Sequence, residues 1–466
     1  MIATTVRKQF FFALVSSVLW QISFAQAISS EQNYAMNSPG IVMIQAVFSA
    51  TVYVKDIQIN EERFDKLVDS VKNLDKSGSI LSPGQKLDIV VKTLYKSPFR
   101  YFIADKEYYK QVHRVVTSGT GFLITGDGYI ITNCHIIDHD SAFIRNKFIL
   151  STFQEVTEQN INSLQSSWAM TLTDEQRNLL YNAYGLIYSQ VSSMILYDLK
   201  KEIYVLYRAD DINDNTKTIK KRAEVLVKGS PMPGKDVAIL KIQDGNNLPT
   251  LMLSKDSLVD IGTQALVLGY PEPANDNSFL SAESIIEPSL TAGIVSAVKE
   301  SVGGWPVIQM DALISHGSSG SPVCNGKGKV IGLTTFGSLE QGSNLLASGF
   351  NFAIPLSVVK EFLDSAKIHP ALSKASVIYN QGLDLFYKEY YKNALRKFNQ
   401  VKNINKDYPG LNYYTQLCKN KIAAGENKQD NKQYYLWGII LILLIAGGYF
   451  FYRKGISKRS NYSSSK

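Results

Sequence analysis

Cysteine and histidine are scarce in this chain, and their scarcity limits its chemistry. The 466 residues include three cysteines and five histidines. Three cysteines cannot all pair within one chain, so at least one is a free thiol. The histidines show no spacing typical of a metal site, and the sequence therefore predicts neither a metal nor another cofactor.

A surplus of positive charge is also missing from the body of the chain. The formal net charge is +8, but seven of the 49 basic residues lie in two terminal segments that contain no acidic residues. The other 42 basic residues nearly balance the 41 acidic ones. This balance argues against nucleic acid as a partner.

Two apolar runs lie near the ends of the chain. Residues 1–27 combine a basic start, an apolar run and a small-residue cleavage site, which predicts a secretory signal peptide. Residues 435–452 are uncharged, have aromatic residues at both ends and are long enough to span a bilayer, with a buried core helix as the alternative. A cleaved signal would place the chain before this span outside the cytoplasm, in the periplasm or at the cell surface. The basic tail, residues 453–466, would be cytoplasmic.

The turn Gly317–Pro322 consists of small residues, GSSGSP, with Ser319 near its centre. Such a turn exposes the serine oxygen and leaves neighbouring backbone N–H groups free to point at one spot. A solvated hairpin loop is the alternative interpretation. Two earlier segments favour a nucleophile: residues 119–135 predict a hairpin that ends at His135, and Asp236 stands at the start of a buried strand.

The order His135, Asp236, Ser319 is that of serine triads of the chymotrypsin type. The segments TNCHI at 132–136, DVAILK at 236–241 and GSSGSP resemble the motifs of the HtrA/Deg branch of trypsin-like serine proteases. The resemblance covers residues 41–366 with interruptions. It implies a mainly β fold class, with two six-stranded antiparallel β-barrels and an active site in the cleft between them.

The resemblance also implies a role for each motif residue. Ser319 would be the nucleophile, His135 its general base, and Asp236 the group that orients and stabilises the imidazole. The backbone N–H groups of Gly317 and Ser319 would form the oxyanion hole. Leu313 occupies the place of the specificity-pocket floor in trypsin-like enzymes, which predicts cleavage after small or medium apolar residues.

Two residues of the turn depart from the patterns of relatives. Ser318 replaces the aspartate with which digestive relatives capture a newly cut N-terminus, so control by loop ordering around Gly317 is expected instead. Ser321 replaces a glycine of the family pattern. Cys134 and Cys324 lie close in sequence to triad residues, and a disulfide between them is conceivable. We favour small buried thiols that pack beside the site.

Helical periodicity interrupts and follows the protease-like segment. Apolar residues at three- and four-residue spacing predict helical insertions at about 57–112 and 148–200, which could roof the site, bind a partner or decorate the barrel. Residues 370–425 predict a helical region that resembles one tetratricopeptide repeat, with a plain antiparallel helix pair that spaces the barrel from the membrane as the alternative. A polar linker at 426–434 would lead to the membrane span.

The leading hypothesis is a membrane-anchored extracytoplasmic serine endopeptidase that hydrolyses protein or peptide substrates through an acyl-enzyme. Protein quality control is implied only by the resemblance, and so is a possible homo-oligomer. One alternative is a catalytically silent protease-fold scaffold that binds protein partners. The other is a stress sensor that is triggered through the helical insertions.

Overall fold

The computed structural model describes residues 27–74, 81–139, 141–191, 195–211, 216–256, 258–272, 280, 284–339, 346–428, 444 and 447–448. The predicted signal peptide and the cytoplasmic tail lie outside these residues except for Ala27, and so do most of the linker and of the span. In the part of the chain that is described, we find no helix with the length and apolar character that crossing a bilayer requires.

The first six strands form a closed antiparallel barrel, as predicted. They pair in the order β1–β2–β3–β6–β5–β4, and residues of β1 alternate between buried and half-exposed from Ala46 to Val54. This alternation directs one face of the strand into the barrel core. The strands are β1 Ile41–Ile59, β2 Phe102–Leu123, β3 Tyr129–Thr132, β4 Ile195–Asp210, β5 Thr216–Lys228 and β6 Ala238–Ile242.

The next six strands pair in a second closed ring, β10–β11–β12–β9–β8–β7. A cluster of buried apolar residues joins the two barrels, with Phe122 and Ile131 from the first barrel and Leu266 and Leu333 from the second. The cleft that holds the candidate site therefore runs along a packed junction. The strands are β7 Gln264–Gly269, β8 Ser289–Glu300, β9 Pro306–Met310, β10 Pro322–Cys324, β11 Val330–Leu339 and β12 Leu346–Pro355.

Helices precede, interrupt and follow the barrels. Ser82 caps one of them with a capping box and a proline at the first turn. The helices are α1 Ser30–Asn37, α2 Glu61–Asn73, α3 Pro83–Lys96, α4 Pro98–Tyr101, α5 Cys134–Ile137, α6 Ser141–Trp168, α7 Asp174–Val191, α8 Leu356–Ser365, α9 Lys374–Tyr387, α10 Tyr391–Ile404 and α11 Leu411–Ala423.

The boundaries of both predicted insertions need correction. The first insertion is helical only between Glu61 and Tyr101, because β1 and β2 continue as a paired ribbon out to Ile59 and Phe102. The second begins earlier than predicted, at Ser141. It also ends earlier, because the segment from Ile195 pairs with β1 instead of continuing the helix.

The inserted helices share one apolar core with the first barrel. Val91 of α3, Phe148 of α6 and Leu180 of α7 are fully buried in the same cluster as Ile44 and Val52 of β1. A helix whose apolar face lies in the core of its host contributes to the stability of the host. Both insertions are therefore structural parts of the first barrel.

The predicted helical region at 370–425 contains three helices, α9 to α11, rather than a pair. Gly382 of α9 lies against Phe398 of α10, where an added Cβ would come within 2.6 Å of the ring. The region contacts the barrels directly: Asp210 of β4 accepts hydrogen bonds from the N–H groups of Gly410 and Asn412, at 2.9 and 2.7 Å. These polar contacts seat the helices on the first barrel, whereas a position between the barrel and a membrane stays a prediction.

Candidate active site

His135 and Asp236 meet at the ends of neighbouring strands. His135 lies in the short helix α5 just after β3, Asp236 lies just before β6, and Thr132 of β3 pairs with Ala238 of β6. The His135 backbone N–H donates to Asp236 Oδ1 at 2.8 Å, and His135 Nδ1 lies 2.6 Å from Asp236 Oδ2. The strand pairing thus fixes both the backbone and the ring of the histidine against the carboxylate.

Asp236 is fully buried, yet its carboxylate is well satisfied. Besides the two bonds from His135, it accepts a hydrogen bond from the Thr335 hydroxyl at 2.8 Å. A buried carboxylate requires such donors, because its charge has lost water. Donation of the Nδ1 proton to Asp236 leaves Nε2 of the ring, which is one-third exposed, as the proton acceptor.

The sequence did not single out Thr335. It lies on β11, in the second barrel, and so bonds to a carboxylate of the first barrel across the junction. Its backbone carbonyl also accepts a hydrogen bond from the Ser319 hydroxyl at 3.1 Å. Its place on a buried strand that follows the GSSGSP turn gave no specific signal for this role.

Ser319 lines the same cleft as His135, a cavity of about 820 Å³. Its hydroxyl donates to the Thr335 carbonyl, and among the described residues no hydrogen bond joins it to His135. The structure therefore brings two of the three predicted residues into contact and places the third along the same cleft.

The turn around Ser319 requires its glycines. Gly317 and Gly320 have φ angles of +86° and +84°, which disfavour other residues. A Cβ on Gly320 would also lie 1.9 Å from the carbonyl oxygen of Thr120. Thr120 of β2 ties the turn to the first barrel, because its hydroxyl donates to the Gly317 carbonyl and its N–H to the Ser319 carbonyl, both at 2.8 Å.

The predicted oxyanion donors occupy this turn. Among the described residues, the N–H groups of Gly317 and Ser319 donate no hydrogen bond to the backbone. The carbonyl of His316, the residue before Gly317, accepts a 2.6 Å hydrogen bond from the Glu272 N–H. Backbone N–H groups without such a partner are what an oxyanion hole needs, and this assignment stays a prediction.

Ser318 and Ser321, the two departures from the patterns of relatives, are both buried and shape the turn. The Ser318 hydroxyl accepts a hydrogen bond from the Ser315 N–H at 3.2 Å, and its carbonyl accepts one from Thr334 Oγ1 at 2.5 Å. Ser321 N–H donates to the Ser318 carbonyl at 3.1 Å. The backbone of Ser321 is thus held in the turn, whereas its buried hydroxyl has no hydrogen-bond partner among the described residues.

The structure corrects the assignment of the specificity-pocket floor. Leu313 is 61% exposed and is not among the residues that line the cleft. Its carbonyl accepts a hydrogen bond from Thr291 Oγ1 at 2.7 Å, which fixes the backbone at this position. Ile314, the next residue, lines the cleft instead.

Cys134 and Cys324 are both free and buried, so the favoured interpretation is confirmed and the disulfide is wrong. The Cys134 thiol donates to the Gly229 carbonyl at 3.2 Å. Burial, with a further contribution from the charge of Asp236, raises the pKa of Cys134 to about 11. Burial alone raises the pKa of Cys324 to about 12. Neither thiol is an alternative nucleophile at neutral pH.

The chain is similar in sequence to known serine proteases. Residues 198–333, which include Asp236 and Ser319 but not His135, match the trypsin-like peptidase domain. A probable periplasmic serine endoprotease DegP-like from Hahella chejuensis is 24% identical over 308 residues, covering 65% of this chain and 46% of the relative. The serine endoprotease DegS from Haemophilus influenzae is 32% identical over 128 residues, covering 28% of this chain and 35% of the relative.

A solved structure, the HtrA-type protease AlgWS227A with tripeptide, aligns with 15% identity and a TM-score of 0.34 over 72% of this chain and 63% of that chain. The chain spans about half the length, or less, of the curated relatives named above. The chain is thus similar to HtrA/DegP-like serine endoproteases. The predicted resemblance to this branch of trypsin-like proteases is supported.

Proposed function

We propose that this protein is an extracytoplasmic serine endopeptidase of the HtrA/Deg type that cleaves protein or peptide substrates. One observation carries the proposal: the His135 ring, held 2.6 Å from the buried Asp236, lines the same cleft as Ser319. The similarity of the chain to named serine endoproteases supports the same reaction.

In this proposal, catalysis runs through an acyl-enzyme. His135 Nε2 removes the hydroxyl proton of Ser319 as its oxygen attacks the substrate carbonyl. The N–H groups of Gly317 and Ser319 hold the resulting oxyanion, where the loss of one donor typically costs ~3 kcal/mol of barrier. His135 then gives its proton to the leaving amine, and an activated water releases the acyl group. Asp236 keeps the ring in the required tautomer and stabilises its charged form.

The Ser319 hydroxyl must change partners before this reaction starts. It now donates to the Thr335 carbonyl at 3.1 Å, a neutral hydrogen bond with a net value of about 1 kcal/mol. The loss of this hydrogen bond therefore has a small energetic cost. Control by loop ordering around the Gly317–Pro322 turn remains a prediction.

Location and assembly extend the proposal beyond the described residues. The DegP-like relative is named as periplasmic, and the predicted signal peptide favours export of this chain as well. Anchoring through residues 435–452, a cytoplasmic tail at 453–466, a tetratricopeptide-like region at 370–425 and homo-oligomers remain predictions. So do a role in protein quality control and the physiological substrate.

A fluorophosphonate probe tests the proposed activity, because it reacts only with a serine that a base has activated. We expect the wild-type protein to be labelled at Ser319, and we expect Ser319→Ala and His135→Ala to remain unlabelled. Hydrolysis of unfolded casein should follow the same pattern.

The second candidate is a silent scaffold that binds protein partners. The observation in its favour is that the Ser319 hydroxyl bonds to the Thr335 carbonyl and not to His135. Absence of labelling in the wild type, with and without added peptides that could order the turn, would support the scaffold. A sensor role would require that changes in the helical insertions alter labelling.

A further inference from the structure

The helix α6 has one face in the protein core and another on the cleft. It begins six residues after His135 and buries Ile144 and Phe148 in the first-barrel core. Phe143 and Lys147, one helical turn apart, line the cleft together with His135 and Ser319. Because Ile144 and Phe148 are buried, the helix is held in place and so are Phe143 and Lys147 on its other face. We call this face the wall of the cleft.

The wall has an apolar part and a cationic part. The His139 ring stacks on Phe143 with centroids 4.5 Å apart, and Lys147 Nζ lies 5.7 Å from the centre of the Phe143 ring. Val116 of β2, which is 52% exposed, lines the same cleft. A bound peptide would thus meet an apolar surface and an ammonium group close to each other.

The position of the wall indicates which part of a substrate it contacts. In the proposed reaction His135 protonates the leaving amine, so the residues after the scissile bond begin beside this ring. The wall lies on the first barrel, as His135 does, whereas Ile314 and Gly317 lie on the second barrel. The wall therefore lies on the side of the cleft from which the leaving amine would be protonated.

The charge on the wall points to acidic substrates. Lys147 is exposed, and within the described residues no carboxylate forms an ion pair with it. Glu272 also lines the cleft, but it lies on the second barrel near the Gly317–Pro322 turn. A carboxylate in the leaving segment would thus be attracted to the first-barrel wall.

We propose that Val116, Phe143 and Lys147 form a subsite for the leaving segment, which accepts an apolar side chain followed by an acidic group. The carboxylate could belong to an acidic side chain or to the C-terminus of a peptide. This inference rests on the proposed endopeptidase function and adds a substrate preference to it.

The test uses internally quenched peptides cut by the full-length protein. The peptides share one sequence with a single cleaved bond, and they differ only in having Glu, Gln or Lys at the second or third residue after that bond. We expect the wild type to prefer Glu over Lys by about threefold in kcat/KM at low salt, the range of an exposed ion pair. Lys147→Glu should reverse this preference, and added salt should reduce it.

Arg145→Glu is the matched control, because Arg145 is exposed on the same helix but does not line the cleft. It changes the net charge equally and should leave the Glu-to-Lys ratio as in the wild type. Peptides that end one or three residues after the bond separate a C-terminal carboxylate from an acidic side chain as the preferred group.

The outcomes separate this inference from the proposed function. If the wild type cleaves all peptides and Lys147→Glu keeps the wild-type ratio, the subsite is wrong while the endopeptidase stands. An equal shift in Arg145→Glu would also overturn the subsite, because it would reveal a long-range charge effect. If no peptide is cleaved and no fluorophosphonate is bound, the endopeptidase itself is wrong.

Discussion

The two barrels have the same number of paired strands but contribute to the site in different ways. The first barrel has strands of up to 22 residues and two helical insertions in its core, and it holds His135 and Asp236 in direct contact. The second barrel supplies Ser319 from a tight turn, with its hydroxyl on a backbone carbonyl. Folding thus places the proposed base against its carboxylate, whereas the hydroxyl of the proposed nucleophile still has to leave its carbonyl partner.

The largest expected effect comes from removal of the second-barrel nucleophile. Ser319→Ala should lower kcat/KM for casein-derived peptides by about 10⁴ to 10⁶, since residues of a triad act as one unit. The double variant with His135→Ala should lose little more than either single variant. Because Ser319 is half-buried and makes one neutral hydrogen bond, the thermal midpoint should stay near that of the wild type. Additive losses in the double variant would contradict a shared mechanism.

The second prediction concerns the core that the first barrel shares with its insertion. Phe148→Ala should lower the free energy of unfolding by about 3–5 kcal/mol, because the ring is fully buried and its loss leaves a cavity. Urea denaturation of the whole protein measures this change. Phe143→Ala is the matched control on the same helix, with a ring that is 38% exposed, and it should cost less than about 1 kcal/mol. Equal stability of the two variants would show that α6 does not contribute to the core of the first barrel.

The contrast between the barrels also explains how far the sequence could predict the site. His135 and Asp236 were predictable because each lies beside a strand with a local motif, and paired strands fix their distance. Thr335 was not singled out, because a threonine in a buried strand has no distinctive pattern. The role of Leu313 was wrong because side-chain direction in an irregular segment depends on turns that only the three-dimensional structure reveals.

The same reasoning applies to the insertions. Their helical character was predictable from apolar spacing, but their limits were not. The first turn of α6 follows the His135 motif so closely that the pattern of one element merges with that of the next. At the other limits, β1, β2 and β4 extend beyond the barrel as a paired ribbon that includes exposed and charged residues, which weakens the alternation on which strand prediction depends.

The third prediction tests the contact between the two halves of the site. Thr335→Val should remove one donor from the buried Asp236 carboxylate, at a cost of about 1–3 kcal/mol in unfolding free energy. We expect kcat/KM to fall about tenfold as well, since the His135 ring loses part of its support. Thr335→Ser keeps the hydroxyl and should restore most of both losses. If the valine variant matched the wild type in both measurements, the bond across the junction would have no role.

The smallest expected effect is a pH dependence at the contact between α6 and the first barrel. His113 of β2 is 4% exposed, and its Nδ1 lies 3.2 Å from Glu155 of α6, while Nε2 has no hydrogen-bond partner among the described residues. Burial lowers the pKa of His113, although the charge of Glu155 acts in the opposite direction. Burial dominates because Glu155 is 44% exposed and water screens its charge, whereas a proton on Nε2 would be buried and unpaired.

The unfolded chain therefore binds a proton at His113 more readily than the folded protein does. The stability that this neutral histidine contributes is present above the unfolded pKa of about 6.5 and is lost as the pH falls below it. Urea midpoints measured between pH 8 and pH 5 should fall less steeply in His113→Gln than in the wild type. His369→Gln, at an exposed site, should retain the wild-type slope. Equal slopes in wild type and His113→Gln would place the acid-sensitive contact elsewhere than at the junction of insertion and barrel.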